Sequence, residues 1–269
     1  MWRRRFLALT GPVLVCGCAG AVHQLPGIDS ANLSLAQTEV QNAGGAPERR
    51  TIGDDDAKEI MESALRRIRG PATQLCQEMN TGVCQWRFGF SSSSSLNASS
   101  GPNGQISINR GIVEYAANEE EVAMVIAHEI GHQAANHMAT AQRNQAVGAL
   151  IGAVLLGALV GVATSRSPYG ASSTRAATRT GGDIGGAVGR ISYSKEQERE
   201  ADYLAAVILY RAEMDLDKAR GFLVTMARAS GRKESGMLDT HPAGPERLAA
   251  WDKAVLEVRA SKGALPKRA

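Results

Sequence analysis

The five residues His128-Glu129-Ile130-Gly131-His132 restrict the fold more than any other stretch of this chain. On a helix, two side chains four residues apart differ by only about 40° in direction and one turn in height. Two imidazoles at that spacing reach a single metal ion at about 2.0–2.1 Å. Glu129, rotated by about 100° from His128, is placed to meet a water at that ion rather than the ion itself. Val122, Val125, Ile126 and Ile130 give the same helix a buried face, and buried imidazoles need partners. The chain has only five histidines, so the pair is a specific signal. Asn118 is the expected N-cap, and Glu121 three residues on resembles a capping box, with Glu119 and Glu120 adding favourable charge.

A third ligand must come from another element. The run Ser194-Lys195-Glu196-Gln197-Glu198-Arg199-Glu200-Ala201-Asp202 supplies the candidates. Glu198 and Asp202 share one helix face. Glu198 can bind zinc, while Asp202 accepts a hydrogen bond from a ligand imidazole and fixes its orientation. Glu196 and Glu200 read as a solvated acidic face. His23 and His137 are not expected to be ligands.

The whole chain, 269 residues with 43% hydrophobic content, suits one sizeable domain or at most two small ones. Apolar residues at helical spacing run from Ala57 to Arg69 behind Asp54, Asp55 and Asp56. Trp86 to Phe90 and Gln105 to Ile108 alternate as strands do, with a turn at Gly101-Pro102-Asn103-Gly104 between them. Further helices are expected from Leu216 to Ala229 and from Pro245 to Arg259. The fold class expected is α+β, mainly helical, with a small antiparallel sheet. A net charge of +3 and 4% aromatic residues exclude a nucleic-acid surface.

Residues 1–17 read as an export signal of lipoprotein type: Arg3, Arg4 and Arg5, an apolar run, then Val15-Cys16-Gly17-Cys18. Cys18 is the expected lipid anchor, the alternative being an ordinary signal cut near Ala19 or Ala21. Ala19 carries no inner-membrane retention signal, which favours the periplasmic side of the outer membrane. Residues 18–50 have no helical or strand period and read as a flexible tether. Cys76 and Cys84 are expected to form a structural disulfide in an exported chain, rather than two free thiols. Residues 51–262 form the domain, interrupted by a Gly-rich apolar insertion over 146–190, and 263–269 is a basic tail expected to fray. Ala146 to Ala163 carries no charge, and its length admits a membrane span. If Glu198 joins the histidines, however, both flanks lie on one side of a membrane. The segment is then a hairpin, a buried helix, or a flap facing membrane or substrate. Ser165 to Gly186 reads as mobile.

The chain resembles the HtpX and CAAX-prenyl-protease family of gluzincins, in particular its bacterial periplasmic lipoprotein branch. The likeness runs from about Ala57 to Trp251. It rests on Asn97-Ala98, Asn109-Arg110-Gly111-Ile112, the H-E-x-x-H helix, Glu198 to Asp202, and His241-Pro242 with Arg247, in the family's order. One departure is Lys195, where the family often has Arg. The resemblance implies one zinc ion per subunit, with Glu198, not Glu200, as third ligand beside His128 and His132. It implies that Gln105, Ile106, Ser107 and Ile108 form an edge strand pairing with substrate backbone. His241 then either approaches the metal and holds the enzyme latent or donates to the developing oxyanion, for which Arg247 is the other candidate. A helical-repeat domain after Trp251 is not expected. The implied activity is a zinc metalloendopeptidase with Glu129 as base. Its expected substrates are protein or peptide, unfolded outer-membrane proteins above all. It would meet the membrane through its N-terminal lipid. The rivals are a zinc-stabilised chaperone or binding lipoprotein without proteolysis, and a membrane-inserting structural lipoprotein centred on Ala146 to Ala163.

Overall fold

The computed structural model describes residues 21–80, 83–164, 169–188, 193–229, 241 and 243–269. The export signal, Cys18 and Pro242 lie outside the described residues. Helix α1 is Ser30–Ala43 and α2 is Asp54–Met79. Three strands follow, β1 (Arg87–Ser91), β2 (Ala98–Ser100) and β3 (Gln105–Asn109). The remaining helices are α3 (Arg110–Tyr115), α4 (Glu119–Ala134), α5 (His137–Thr164), α6 (Gly170–Val188), α7 (Lys195–Arg211), α8 (Leu216–Ala219), α9 (Gly221–Ala229) and α10 (Pro245–Ala260). The α+β class, mainly helical, is as expected.

Helix α4 runs through the centre of the molecule. Every residue from Glu121 to Ala134 is buried, with α2, α7 and the sheet packed around it. Asn118 caps it, accepting from the Glu121 N–H at 2.9 Å. The Glu121 carboxylate accepts from the Ala117 N–H at 3.0 Å and from the Asn118 side-chain amide at 3.3 Å. Helix α7 opens with a complete capping box between Ser194 and Gln197, which fixes where its carboxylates start. Gly131 sets how near α4 and α7 lie. A Cβ there would come within 3.0 Å of the Ala201 carbonyl oxygen, so a larger residue would push the two helices, and their ligands, apart.

Helix α2 extends beyond the expected Arg69, through Pro71. Its apolar spacing continues at Ala72, Leu75, Cys76 and Met79, all buried, and that packing outweighs the hydrogen bond lost at proline. Cys76 and Cys84 form the expected disulfide, with Cα atoms 5.5 Å apart, joining the end of α2 to the approach to β1.

The sheet is mixed rather than antiparallel, in the order β1-β3-β2. Strand β1 pairs parallel with β3, Phe88 opposite Ile106, and β2 pairs antiparallel, Ala98 opposite Ile108. The expectation that Gln105 to Ile108 is an edge is therefore corrected. With ladders on both sides and with Ile106 and Ile108 fully buried, β3 is the central strand. The edges are β1 and β2.

The expected tether is not one over its described part. Asp29 caps α1 through the Asn32 N–H at 2.8 Å, Arg220 holds Glu39 through two hydrogen bonds at 2.6 and 2.7 Å, and Leu25, Ile28 and Val40 pack on the core. The C-terminal tail is pinned as well. Gln24 N–H donates to the Lys267 carbonyl at 2.8 Å, and Ala269 N–H to the Val22 carbonyl at 2.9 Å. The two ends supply each other's strand-like partner across a separation of nearly the whole chain, which no local pattern reveals. The apolar insertion forms a hairpin of α5 packed on α6, so the stretch expected to be mobile is helical from Gly170 onward.

Candidate metal centre

His128 and His132 stand one turn apart on α4, with Glu198 on α7 opposite and His241, just before α10, closing the group. One ligand atom from each of these four buried residues lies within 4.8 Å of all the others. His128 Nε2 is 3.1 Å from His132 Nε2 and 3.5 Å from Glu198 Oε2. His132 Nε2 is 3.4 Å from Glu198 Oε1. His241 Nδ1 sits 3.2 Å from His128 Nε2 and 2.9 Å from Glu198 Oε1. A tetrahedral shell at about 2.0–2.1 Å sets neighbouring donors about 3.3–3.4 Å apart, close to these separations.

The tautomers point the same way. His128 Nδ1–H donates to Asp202 Oδ1 at 2.8 Å, and His132 Nδ1 meets His137 Nδ1 at 2.9 Å. His137 uses its Nε2–H on the Glu200 carboxylate at 2.9 Å. With Nε2–H committed to Glu200, His137 offers Nδ1 as an acceptor, and His132 donates there. The Nε2 atoms of both α4 histidines are left as lone pairs facing each other across 3.1 Å, an arrangement that a cation resolves. Glu129 Oε1 adds a buried carboxylate oxygen with no hydrogen-bond partner, 3.5 Å from His241 Nε2. The donor set fits zinc.

The electrostatics suit ligands in their metal-binding forms. Burial drives His132 well below the ordinary imidazole value, so it stays neutral. Burial pushes the Glu198 carboxyl up, but His241 and Arg247 outweigh it and hold it well below the carboxylate range. Asp202 is held low in the same manner, chiefly by Arg247. Burial alone would lower His241, but Glu198 and Glu129 raise it.

Residues 63–255 match the model of peptidase family M48. The chain belongs to peptidase family M48. Among curated M48-like relatives, the beta-barrel assembly-enhancing protease of Escherichia coli (strain K12) is 30% identical over 185 residues, 68% of this chain and 37% of that protein. Metalloprotease YcaL of the same strain is 28% identical over 155 residues, 57% of this chain and 56% of that protein. The mitochondrial metalloendopeptidase OMA1 of Arabidopsis thaliana is 26% identical over 152 residues, 56% of this chain and 28% of that protein. The chain thus spans little more than a third of the assembly-enhancing protease. Membership places the chain in a peptidase family, and its buried cluster is able to bind a metal.

Within this M48 site the structure brings together His128, His132, Glu198, His241, Glu129 and Asp202. Arg247 also reaches this group. Its Nε donates to Asp202 Oδ2 at 2.9 Å and its Nη2 to Asp202 Oδ1 at 2.7 Å, while Nη1 lies 2.9 Å from Glu198 Oε2. The guanidinium thus contacts both the candidate ligand Glu198 and Asp202, the partner of His128. Gln105 to Ile108 do not line the site as an edge. The strand beside Glu129 is β2, whose Ser100 hydroxyl lies 2.6 Å from Glu129 Oε2 and 3.1 Å from its carbonyl oxygen.

Four residues escape sequence reasoning. Ser100 gives no signal within a serine-rich stretch. Tyr193 stacks on His132 with ring centroids 3.8 Å apart. Glu200, expected in solvent, is fully buried; burial pushes its carboxyl up, but hydrogen bonds from His137 and His23 hold it at about 2. His137 links Glu200 to His132. Helix α7 is buried on nearly every face between Gln197 and Leu209, so no polar stripe marks which carboxylates are inside.

Proposed function

We propose that this chain is a zinc metalloendopeptidase that hydrolyses peptide bonds in unfolded or misassembled envelope proteins. It would act from the periplasmic side of the outer membrane, anchored by lipid on Cys18. The observation that carries the reading is the convergence of His128, His132 and Glu198 donor atoms within 3.1–3.5 Å of one another, with the Glu129 carboxylate alongside. His128, His132 and Glu198 would hold one zinc ion, which when bound acidifies water and polarises a carbonyl. Glu129 takes the proton of the attacking water through Oε1 and hands it to the leaving amine. Ser100 holds the other carboxylate oxygen, so Glu129 keeps one orientation. Asp202 keeps His128 in the tautomer that presents Nε2.

His241 Nδ1, 2.9 Å from Glu198 Oε1 and 3.2 Å from His128 Nε2, is a fourth donor in the cluster. That supports a latent resting state in which this histidine must withdraw before cleavage. The position of β2 at a sheet edge next to Glu129 supports Ala98–Ser100, in place of Gln105 to Ile108, as the strand along which substrate backbone aligns. The name of the beta-barrel assembly-enhancing relative and the lipobox-like Val15-Cys16-Gly17-Cys18 are what support the envelope location.

The test is cleavage of an unfolded casein-type substrate by the full-length chain, with zinc content measured alongside. Glu129→Gln is expected to keep its zinc and lose at least about 100-fold in rate. His241→Ala is expected to cut faster than wild type. A Glu129→Gln variant cutting near the wild-type rate refutes the mechanism. Zinc uptake with no cleavage, even by His241→Ala, would instead favour a binding protein.

A further inference from the structure

Behind His132, on the side away from the cluster, runs a second buried chain of hydrogen bonds. His132 Nδ1–H donates to His137 Nδ1 at 2.9 Å. His137 Nε2–H donates to Glu200 Oε2 at 2.9 Å. Glu200 is then fully engaged by the N-terminal segment: Val22 N–H reaches Oε2 at 2.9 Å, His23 N–H reaches Oε1 at 3.0 Å, and His23 Nδ1–H reaches Oε1 at 2.5 Å. His23, His137 and Glu200 are all buried. The segment that delivers these donors is locked by its pairing with the C-terminal end, His23 opposite Arg268, and the Arg268 guanidinium in turn meets the Met79 carbonyl.

His128 has its own support in Asp202 and Arg247. The arrangement behind His132 is its counterpart, built from an imidazole and a carboxylate, and its last members come from a part of the chain that otherwise lies outside the catalytic helices. A neutral imidazole that must coordinate through Nε2 needs an acceptor at Nδ1. His137 supplies one only while Glu200 holds its Nε2–H, and Glu200 stays oriented only while Val22 and His23 hold its two oxygens.

We propose that His137 and Glu200 are positioning residues for the metal ligand His132, and that Val22 and His23 complete this support, so that the docked N-terminal segment sets how tightly the site holds zinc. The inference rests on the zinc reading of His128, His132 and Glu198. It assigns these residues no contact with substrate.

The experiment starts from zinc-loaded full-length protein and measures the zinc dissociation constant by competition with a chromophoric chelator. The variants are His137→Phe, His137→Gln, Glu200→Gln and His23→Ala, each checked for folding by circular dichroism. Phenylalanine fills the space without hydrogen bonds and is expected to weaken zinc binding by about 10- to 100-fold. Glutamine can accept from His132 and donate to Glu200, and is expected to restore affinity close to wild type. His23→Ala is expected to weaken binding, by less than His137→Phe. Wild-type affinity in His137→Phe overturns the proposal, as does a loss in His137→Gln equal to that in His137→Phe, which would mean a purely structural role. Should His137→Phe fail to fold, Glu200→Gln decides: weakened binding supports the proposal and unchanged binding overturns it. A wild-type chain that takes up no zinc is a failure of the metallopeptidase reading, distinct from these outcomes.

Discussion

Ser100 holds one oxygen of Glu129 at 2.6 Å and leaves the other facing His241 at 3.5 Å, so a single hydroxyl decides how the proposed base is aimed. Replacing it with alanine is expected to lower kcat about tenfold with zinc content and KM near wild type, because the lost hydrogen bond to a charged group is worth about 1.5–3 kcal/mol and only part of it bears on the reaction step. Steady-state kinetics on Ser100→Ala, with metal content measured in parallel, checks this; unchanged kcat contradicts it. The same residue shows what a sequence carries at this scale. His128, Glu129 and His132 were legible because their relation is local, fixed by one helix turn. Glu198 and Asp202 were legible because they repeat that spacing on a second helix. Ser100, His137 and Glu200 were not, since their roles arise only from contacts between elements far apart in the chain, and no spacing within α7 separates an inward Glu200 from an outward one.

Helix α1 is held to the domain by charge more than by burial, with Ala36 its buried residue. Arg220 bridges Glu39 and Asp252, and Lys253 pairs with Asp29. The Arg220 hydrogen bonds hold the Glu39 carboxyl below its ordinary 4.5. A depressed folded-state pKa contributes stability above the ordinary value, which is lost as pH falls through the lowered one. Helix α1 is therefore expected to lose protection in the acid range, below about pH 4.5, before α4 does. Hydrogen exchange across a pH series, corrected for intrinsic rates, measures this, and equal loss in the two helices contradicts it. Helices α2, α4, α7 and α10 were legible from apolar period, capping residues or first-turn charge, whereas α5 and α6 were not. What failed at this scale was α1, whose period is faint because ion pairs dock it, and β3, whose alternation gives a half-buried strand without saying whether one or two neighbours flank it.

The described residues form a helical domain with α4 at its centre, residues 22–24 clamped to residues 267–269, and a hairpin of α5 and α6 set apart from the core. Sequence narrowed the uncharged run to a hairpin, a buried helix or a flap, and the partner that decides among them, α6, was hidden because its Gly-, Ser- and Thr-rich composition reads as a mobile loop. On α5, Leu150, Val154, Leu159 and Val162 are 65%, 59%, 66% and 80% exposed. Because exposed positions contribute within about 0.5 kcal/mol each, changing Leu150, Val154 and Leu159 to serine is expected to leave the unfolding temperature of the domain essentially unchanged and to raise solubility. A large fall in that temperature would mean these side chains are buried in solution. The central claim is also one of whole-molecule geometry, that α4 and α7 bring three side chains to one cation. Zinc K-edge X-ray absorption on the full-length protein, wild type beside Glu198→Ala, tests it most directly. The account expects one zinc per chain with nitrogen and oxygen ligands at about 2.0–2.2 Å, and an oxygen neighbour lost in the variant. No bound zinc, or an identical spectrum without Glu198, would contradict it.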